Sequence, residues 1–107
     1  MNLLWHEDTT SMGNRTINID LSKYKYIVIA AKYDILSSYL TYSIIDVESS
    51  GIIFATQGKP TSSSKSTAMC RGVLVNKTSI VFDSLVWHQD RYNLGSGYCL
   101  PVYIYGI

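Results

Sequence analysis

This chain of 107 residues has little cysteine, proline or phenylalanine, two of each, and little charge of either sign. Two cysteines are too few for a disulfide framework. Cys70 and Cys99 also lack the CxxC spacing of metal and redox motifs, so a hydrophobic core must hold the fold. Buried thiols are the expectation for both, although an oxidising setting would allow them to pair. Charged residues make up 16% and the net charge is +1, with Lys and Arg scattered. That excludes the clustered basic face with which a protein neutralises phosphates, so no nucleic-acid partner is expected. No stretch approaches the ~20 apolar residues of a membrane-spanning helix, so no membrane insertion is expected. The segment Met1–Asp8 has no basic region and meets acid at Glu7, unlike a secretory signal. The chain is therefore expected either to be made in the cytosol or to lack sequence that once preceded Met1. The matches to the glycosylation sequon at Asn14-Arg15-Thr16 and Asn76-Lys77-Thr78 are then chance.

What the chain does have is a hydrophobic fraction of 47% and nine tyrosines. A single domain of this length buries roughly two-thirds of its unfolded surface, enough for one core without metal or disulfide staples. Tyrosine in place of phenylalanine favours positions that are half wet. The stretch Cys99-Leu100-Pro101-Val102-Tyr103-Ile104-Tyr105-Gly106-Ile107 is the most telling. It reads as a strand with Val102 and Ile104 on one side and Tyr103 and Tyr105 on the other. Apolar on both faces, such a strand is central in a sandwich or packed against another subunit.

Further strands follow from period-two alternation and β-branched content. They are expected at Thr16–Leu21, Tyr24–Ala31, Tyr39–Val47, Ile52–Thr56, Met69–Val75 and Ser79–Phe82, ahead of the strand that Tyr98 leads into. The Glu48-Ser49-Ser50-Gly51 turn predicts that the strands on either side of it form a hairpin. Asn76-Lys77-Thr78 predicts a second tight turn. The polar run Gly58–Thr67 is a surface loop, better explained as a tolerated insertion than as a binding loop. A helical turn has room to intrude only between Asp34 and Tyr42. Seven or eight short strands with regular turns predict one all-β domain over residues 1–107, an antiparallel β-sandwich of jelly-roll-like character.

Three segments, taken in order, resemble one family. They are Leu3-Leu4-Trp5, Thr16-Ile17-Asn18-Ile19-Asp20-Leu21-Ser22-Lys23-Tyr24-Lys25-Tyr26-Ile27-Val28-Ile29, and the stretch from Cys99 to Ile107. Together they resemble the C-terminal domains of tail-fibre and receptor-binding proteins from phages of Gram-positive and gut bacteria. In those domains a leading Leu-Trp, a "DLS-Y" strand and a closing "PxYIYGI" strand frame a variable middle. Here Trp5 is followed by His6-Glu7-Asp8, where that pattern has Thr-Asn. Met69–Val75 and Ser79–Asp83 fit the paired strands of such a middle. The resemblance implies a β-sandwich knob, usually a homotrimer, at the tip of a virion tail or head fibre. Such a knob is assembled in the host cytoplasm behind an upstream fibre or tail protein. Binding residues in these tips lie in variable loops, so no functional residue carries over.

No catalytic constellation stands out. His88 and Asp90 pair as base and orienter only on paper, because no Gly-x-Ser-x-Gly or other nucleophile motif accompanies them. His6, Glu7 and Asp8 are adjacent in sequence, whereas metal ligands must converge from separate positions. Asp46, Glu48, Asp83 and Asp90 single out no carboxylate pair for glycoside cleavage. No enzyme activity, metal or cofactor is expected. Saccharide recognition is the better prospect, since a pyranose needs flat apolar faces beside amides, hydroxyls and charges. Trp87, His88, Gln89, Asp90, Arg91 and Tyr92 supply all of these within six residues, beside a Gly-rich stretch. A core-filling Trp87 followed by a solvated bend explains the same residues. Val102, Tyr103, Ile104 and Tyr105 are the expected oligomer interface. The expected function is recognition of a host cell-surface polysaccharide by a homotrimeric fibre tip. A purely structural trimerisation cap and a free-standing carbohydrate-binding module are the alternatives.

Overall fold

Eight strands in two four-stranded antiparallel sheets make up the protein in a computed structural model. The residues described are 1–48, 52–57, 68–88 and 96–107, without the side chains of 52–57, 68, 85, 87 and 88. The strands are β1 (Asn2–His6), β2 (Arg15–Asn18), β3 (Tyr26–Asp34), β4 (Thr41–Asp46), β5 (Ile52–Gln57), β6 (Ala68–Val75), β7 (Ser79–His88) and β8 (Tyr98–Gly106). The front sheet runs β1-β8-β3-β4 and the back sheet β2-β7-β6-β5. The sandwich is thus all-β, with the jelly-roll-like nesting of β8 between β1 and β3 and of β7 between β2 and β6.

Alternation decides what lies between the sheets. Ile27, Ile29 and Ala31 of β3, Ile45 of β4 and Ile104 of β8 face Met69, Val73 and Val75 of β6 and Ile80, Phe82 and Val86 of β7. All are buried, and aliphatic residues of β-branched shape suit this pleated surface. β8 is central, as its two-sided apolarity requires. Cys70 and Cys99 are both thiols; Cys99 is fully buried as expected, whereas Cys70 is only partly buried.

Several local expectations change. The hairpin across Glu48–Gly51 does not form: β4 pairs β3 in the front sheet, and β5 pairs β6 in the back sheet. The chain crosses between layers there, with Glu48 in the left-handed region at φ 73°. No helical turn intrudes after Asp34. Instead the Asp34 carboxylate accepts from the Leu36 amide and the Ser37 hydroxyl in a tight turn. β2 ends at Asn18 rather than Leu21, because Asp20 takes the Ser22 amide and hydroxyl and turns the chain. β7 runs on to His88, well past Phe82. The Asn76 turn does form, its Oδ1 accepting from the amides of Thr78 and Ser79 and from both hydroxyls.

The segments around Tyr24 and Gly106 lock together. The ring of Tyr24 lies on the backbone of Gly106, where any Cβ would sit 2.6 Å from the ring. Ile107 donates to the Tyr26 carbonyl, and its own carbonyl accepts from Lys25 and Tyr26. Tyr24 in turn is tied to Leu21 by its amide and to Asn2 through its hydroxyl.

Candidate binding surface

Of the six residues with saccharide-binding chemistry, Trp87 and His88 fall at the end of β7, paired with Cys70 and Met69. Their side chains, and Gln89, Asp90, Arg91 and Tyr92, lie outside the described residues. The four expected interface residues separate. Ile104 is fully buried between the sheets of its own chain, so it has no side-chain surface left for a partner. Val102 is buried too, at the irregularity where Ala30 pairs Tyr103 while Ala31 pairs Pro101. Tyr103 and Tyr105 are half-buried on the outer face of the front sheet.

That outer face groups Leu3, Tyr42 and Ile44, three exposed large hydrophobics of the described residues. Register builds it from two rows across all four strands. One row is Leu3–Tyr105–Val28–Ile44 and the next is His6–Tyr103–Ala30–Tyr42. An irregularity between Leu3 and Trp5 lets Leu3 face outward while Trp5, two residues on, packs on the core. Val28 and Ala30 are buried in the middle of the rows, between the side chains of Tyr105 and Tyr103 on one side and Ile44 and Tyr42 on the other. At its edges Leu3, Tyr42 and Ile44 are 56%, 56% and 69% exposed. Among the described residues the other exposed large hydrophobics are Met1, Ile35, Leu36, Leu74 and Ile107, and Leu74 alone belongs to the back sheet.

An aromatic ladder stiffens this face. His6 stacks on Tyr103 at 4.4 Å between centroids, and Tyr103 on Tyr105 at 5.9 Å. His6 is oriented by Nδ1 against the Val102 carbonyl at 3.1 Å and by Nε2, 3.5 Å from Asp8. These rings stack face to face, so they present mostly edges, whereas a pyranose stacks on a ring face. Among the described residues no His, Cys, Asp or Glu group could hold a metal ion.

The segment after β1 is pinned by charge. Arg15 of β2 makes a bidentate pair with Glu7, at 2.7 and 2.8 Å, and lies over the Trp5 ring at 5.7 Å. Hydrogen bonds from Arg15 hold the Glu7 carboxyl below its ordinary value of 4.5. A carboxyl depressed on folding adds stability that is present above its unfolded pKa and fades as pH falls through the folded one. Both side chains are about two-fifths exposed, so screening keeps the effect small. Glu7→Gln is expected to lower stability at neutral pH by up to about 1 kcal/mol and by less at a pH below the ordinary carboxylate range. Urea midpoints at the two pH values check this, and an equal loss at both would mean that packing, not charge, is responsible.

Arg71 was not singled out by the sequence, yet it is the most unusual residue of the core. It occupies an inward position on β6 and is 0% exposed. Its guanidinium donates to four carbonyls: Cys99 at 3.0 Å, Met12 at 2.8 Å, Asp83 at 2.7 Å and Tyr98 at 2.7 Å. These lie where the ladders are broken. Cys99 is in the left-handed region at φ 52°, Asp83 falls at the β6–β7 irregularity, and Met12 is in the β1–β2 loop. Asn14 completes the repair at β7, its Oδ1 accepting from the Ser84 amide at 2.8 Å. Burial pushes the Arg71 guanidinium down from its ordinary value, and the nearby Cys99 and Asp83 hold it up. This role is structural. Compared with protein-family models, curated proteins and solved structures, the chain matches none.

Proposed function

We propose that this chain is the tip domain of a phage tail or head fibre, a non-catalytic homotrimer that recognises a host cell-surface saccharide. The observation that carries the reading is the outer face of the front sheet. Its two cross-strand rows, without Lys, Arg, Asp or Glu, leave large apolar side chains in water on a single chain. Three copies sharing one rigid body would raise the avidity of weak sugar sites by ~10²-fold or more. A structural trimerisation cap draws on the same face and needs no sugar site, so the two readings separate on binding alone.

The test uses surface polysaccharide fractions from Gram-positive and gut bacteria, immobilised and probed with wild type and Trp87→Ala. Saturable binding that falls at least tenfold in a folded Trp87→Ala supports recognition through the Trp87–Tyr92 segment. Binding that is unchanged moves the sugar site elsewhere. No binding to any fraction leaves the cap as the better reading.

A further inference from the structure

We infer that Arg71 is a positioning residue for the recognition segment that opens at Trp87, because it ties together the two ends on which that segment is mounted. This rests on the saccharide reading above and adds to it a buried residue remote from the sugar. Residues 89–95 lie outside the described residues, but the chain on either side of them does not. Its two ends belong to different layers. Trp87 and His88 close β7 in the back sheet, whereas Tyr98 opens β8 in the front sheet. Three consecutive residues of β6 hold both ends. Met69 and Cys70 pair with His88 and Trp87 along the ladder. The Arg71 guanidinium donates across the core to the Tyr98 and Cys99 carbonyls, at 2.7 and 3.0 Å. The Cys99 thiol returns a weaker contact, donating to the Met69 carbonyl at 3.9 Å.

A further tie runs through the β1–β2 loop. Arg71 donates to the Met12 carbonyl at 2.8 Å, and the Met12 amide donates at 2.9 Å to Ser96, the first described residue after the segment. Its last contact, to the Asp83 carbonyl at 2.7 Å, reaches β7 four residues before Trp87. These contacts are of the kind that fixes position. β6 and β8 belong to different sheets, so no ladder sets the offset between Trp87 and Tyr98. Apolar packing between the layers is non-directional and does not set it either. A planar guanidinium donating to carbonyls of β7, β8 and the β1–β2 loop does set it, because its donors point in fixed directions. A buried arginine is weak evidence for stability, and what directed contacts to three segments supply is geometry. A segment mounted on held ends has less freedom to lose when a ligand binds, so more of the interaction appears as affinity.

The experiment measures binding to the immobilised polysaccharide fractions of Gram-positive and gut bacteria by wild type, Arg71→Met, Arg71→Lys and Gly106→Ala. The temperature is one at which circular dichroism shows every variant folded. Gly106→Ala is the control for lost stability, since Gly106 lies against Tyr24 near the other end of β8. The expected result is an affinity weaker by roughly tenfold or more in Arg71→Met, partly restored in Arg71→Lys, and unchanged in Gly106→Ala. Arg71→Met that binds like wild type overturns the inference while the saccharide reading stands. An equal loss in Gly106→Ala also overturns it, because stability alone would then explain the effect. No binding by wild type, or binding indifferent to Trp87→Ala, overturns the saccharide reading and the inference with it. Should the Arg71 variants not fold, amide hydrogen exchange in wild type decides. An oligosaccharide cut from the binding fraction should slow exchange of the Met12 amide, bonded to Ser96, more than that of Ile107, bonded to Tyr26 past the far end of β8. Equal effects at the two amides overturn the inference.

Discussion

Arg71→Ala is expected to cost about 3–5 kcal/mol of folding stability, the range found when one partner of a buried charged network is removed. The argument starts from the four carbonyls of Cys99, Met12, Asp83 and Tyr98, each within 3.0 Å of a guanidinium nitrogen. Alanine leaves them without that donor, in buried surroundings for Cys99 and Met12 and partly buried ones for Asp83 and Tyr98, and each buried acceptor so stranded costs about 1–3 kcal/mol. Local relaxation keeps the sum below simple addition. For a domain of this size the loss corresponds to a fall in melting temperature on the order of 15–30 °C. Arg71→Met separates the causes, since it keeps most of the apolar stem and removes every donor. A loss as large as that of alanine assigns the effect to hydrogen bonding, and a largely recovered stability assigns it to packing. Arg71→Lys should fall between wild type and Ala, because one ammonium cannot span carbonyls drawn from β7, β8 and the β1–β2 loop. Urea unfolding curves for the three variants check this. A loss under about 1 kcal/mol for all three would mean that the carbonyls find other donors.

The same residue marks the limit of what alternation makes legible. Met69, Arg71, Val73 and Val75 share one side of β6, so parity alone puts the arginine between the sheets. A charge in an apolar strand is ordinarily taken for surface, and the acceptors that make it tolerable come from segments 12 to 59 residues away in sequence. Nothing local announces them. The strands themselves were legible from alternation at β2 and β6, where one face is buried, and from β-branched content at β3, which is buried on both. The β4–β5 relation was not. A turn signal at Glu48–Gly51 says where the chain bends, but not whether the next strand stays in the same layer. The outward placing of Tyr103 and Tyr105 follows from parity, and so does the inward placing of Ile104. Val102 escapes it, because the irregularity beside Pro101 shifts the register by a residue. The outer-face rows needed the sheet order, since Leu3 and Ile44 come from strands far apart in sequence. The saccharide segment was legible only as composition, and its geometry lies outside the described residues.

Gly106→Val is expected to destabilise the fold by more than about 2 kcal/mol, and Gly106→Ala by about 1–3 kcal/mol, through overpacking alone. A Cβ at this position would meet three ring carbons of Tyr24 at 2.6–2.7 Å, well inside ordinary contact, so ring or strand must move by most of an ångström. The strand is held on both sides, since Gly106 pairs with Asn2 of β1 and Ile27 of β3. The ring is held as well, by the Tyr24 amide on Leu21 and by its hydroxyl, which accepts from Asn2 at 3.1 Å. Neither side yields cheaply. This contact joins the Leu21–Ile29 segment to the closing strand, although the two lie far apart in sequence. The aromatic after Leu21 and the glycine after Tyr105 are two halves of one lock. A double-mutant cycle tests this directly. Tyr24→Ala costs stability by exposing core, but in that background Gly106→Ala has nothing to strike and should cost at least about 1 kcal/mol less than in wild type. Unfolding free energies that simply add would show that Gly106 is required by the strand itself and not by the ring lying on it.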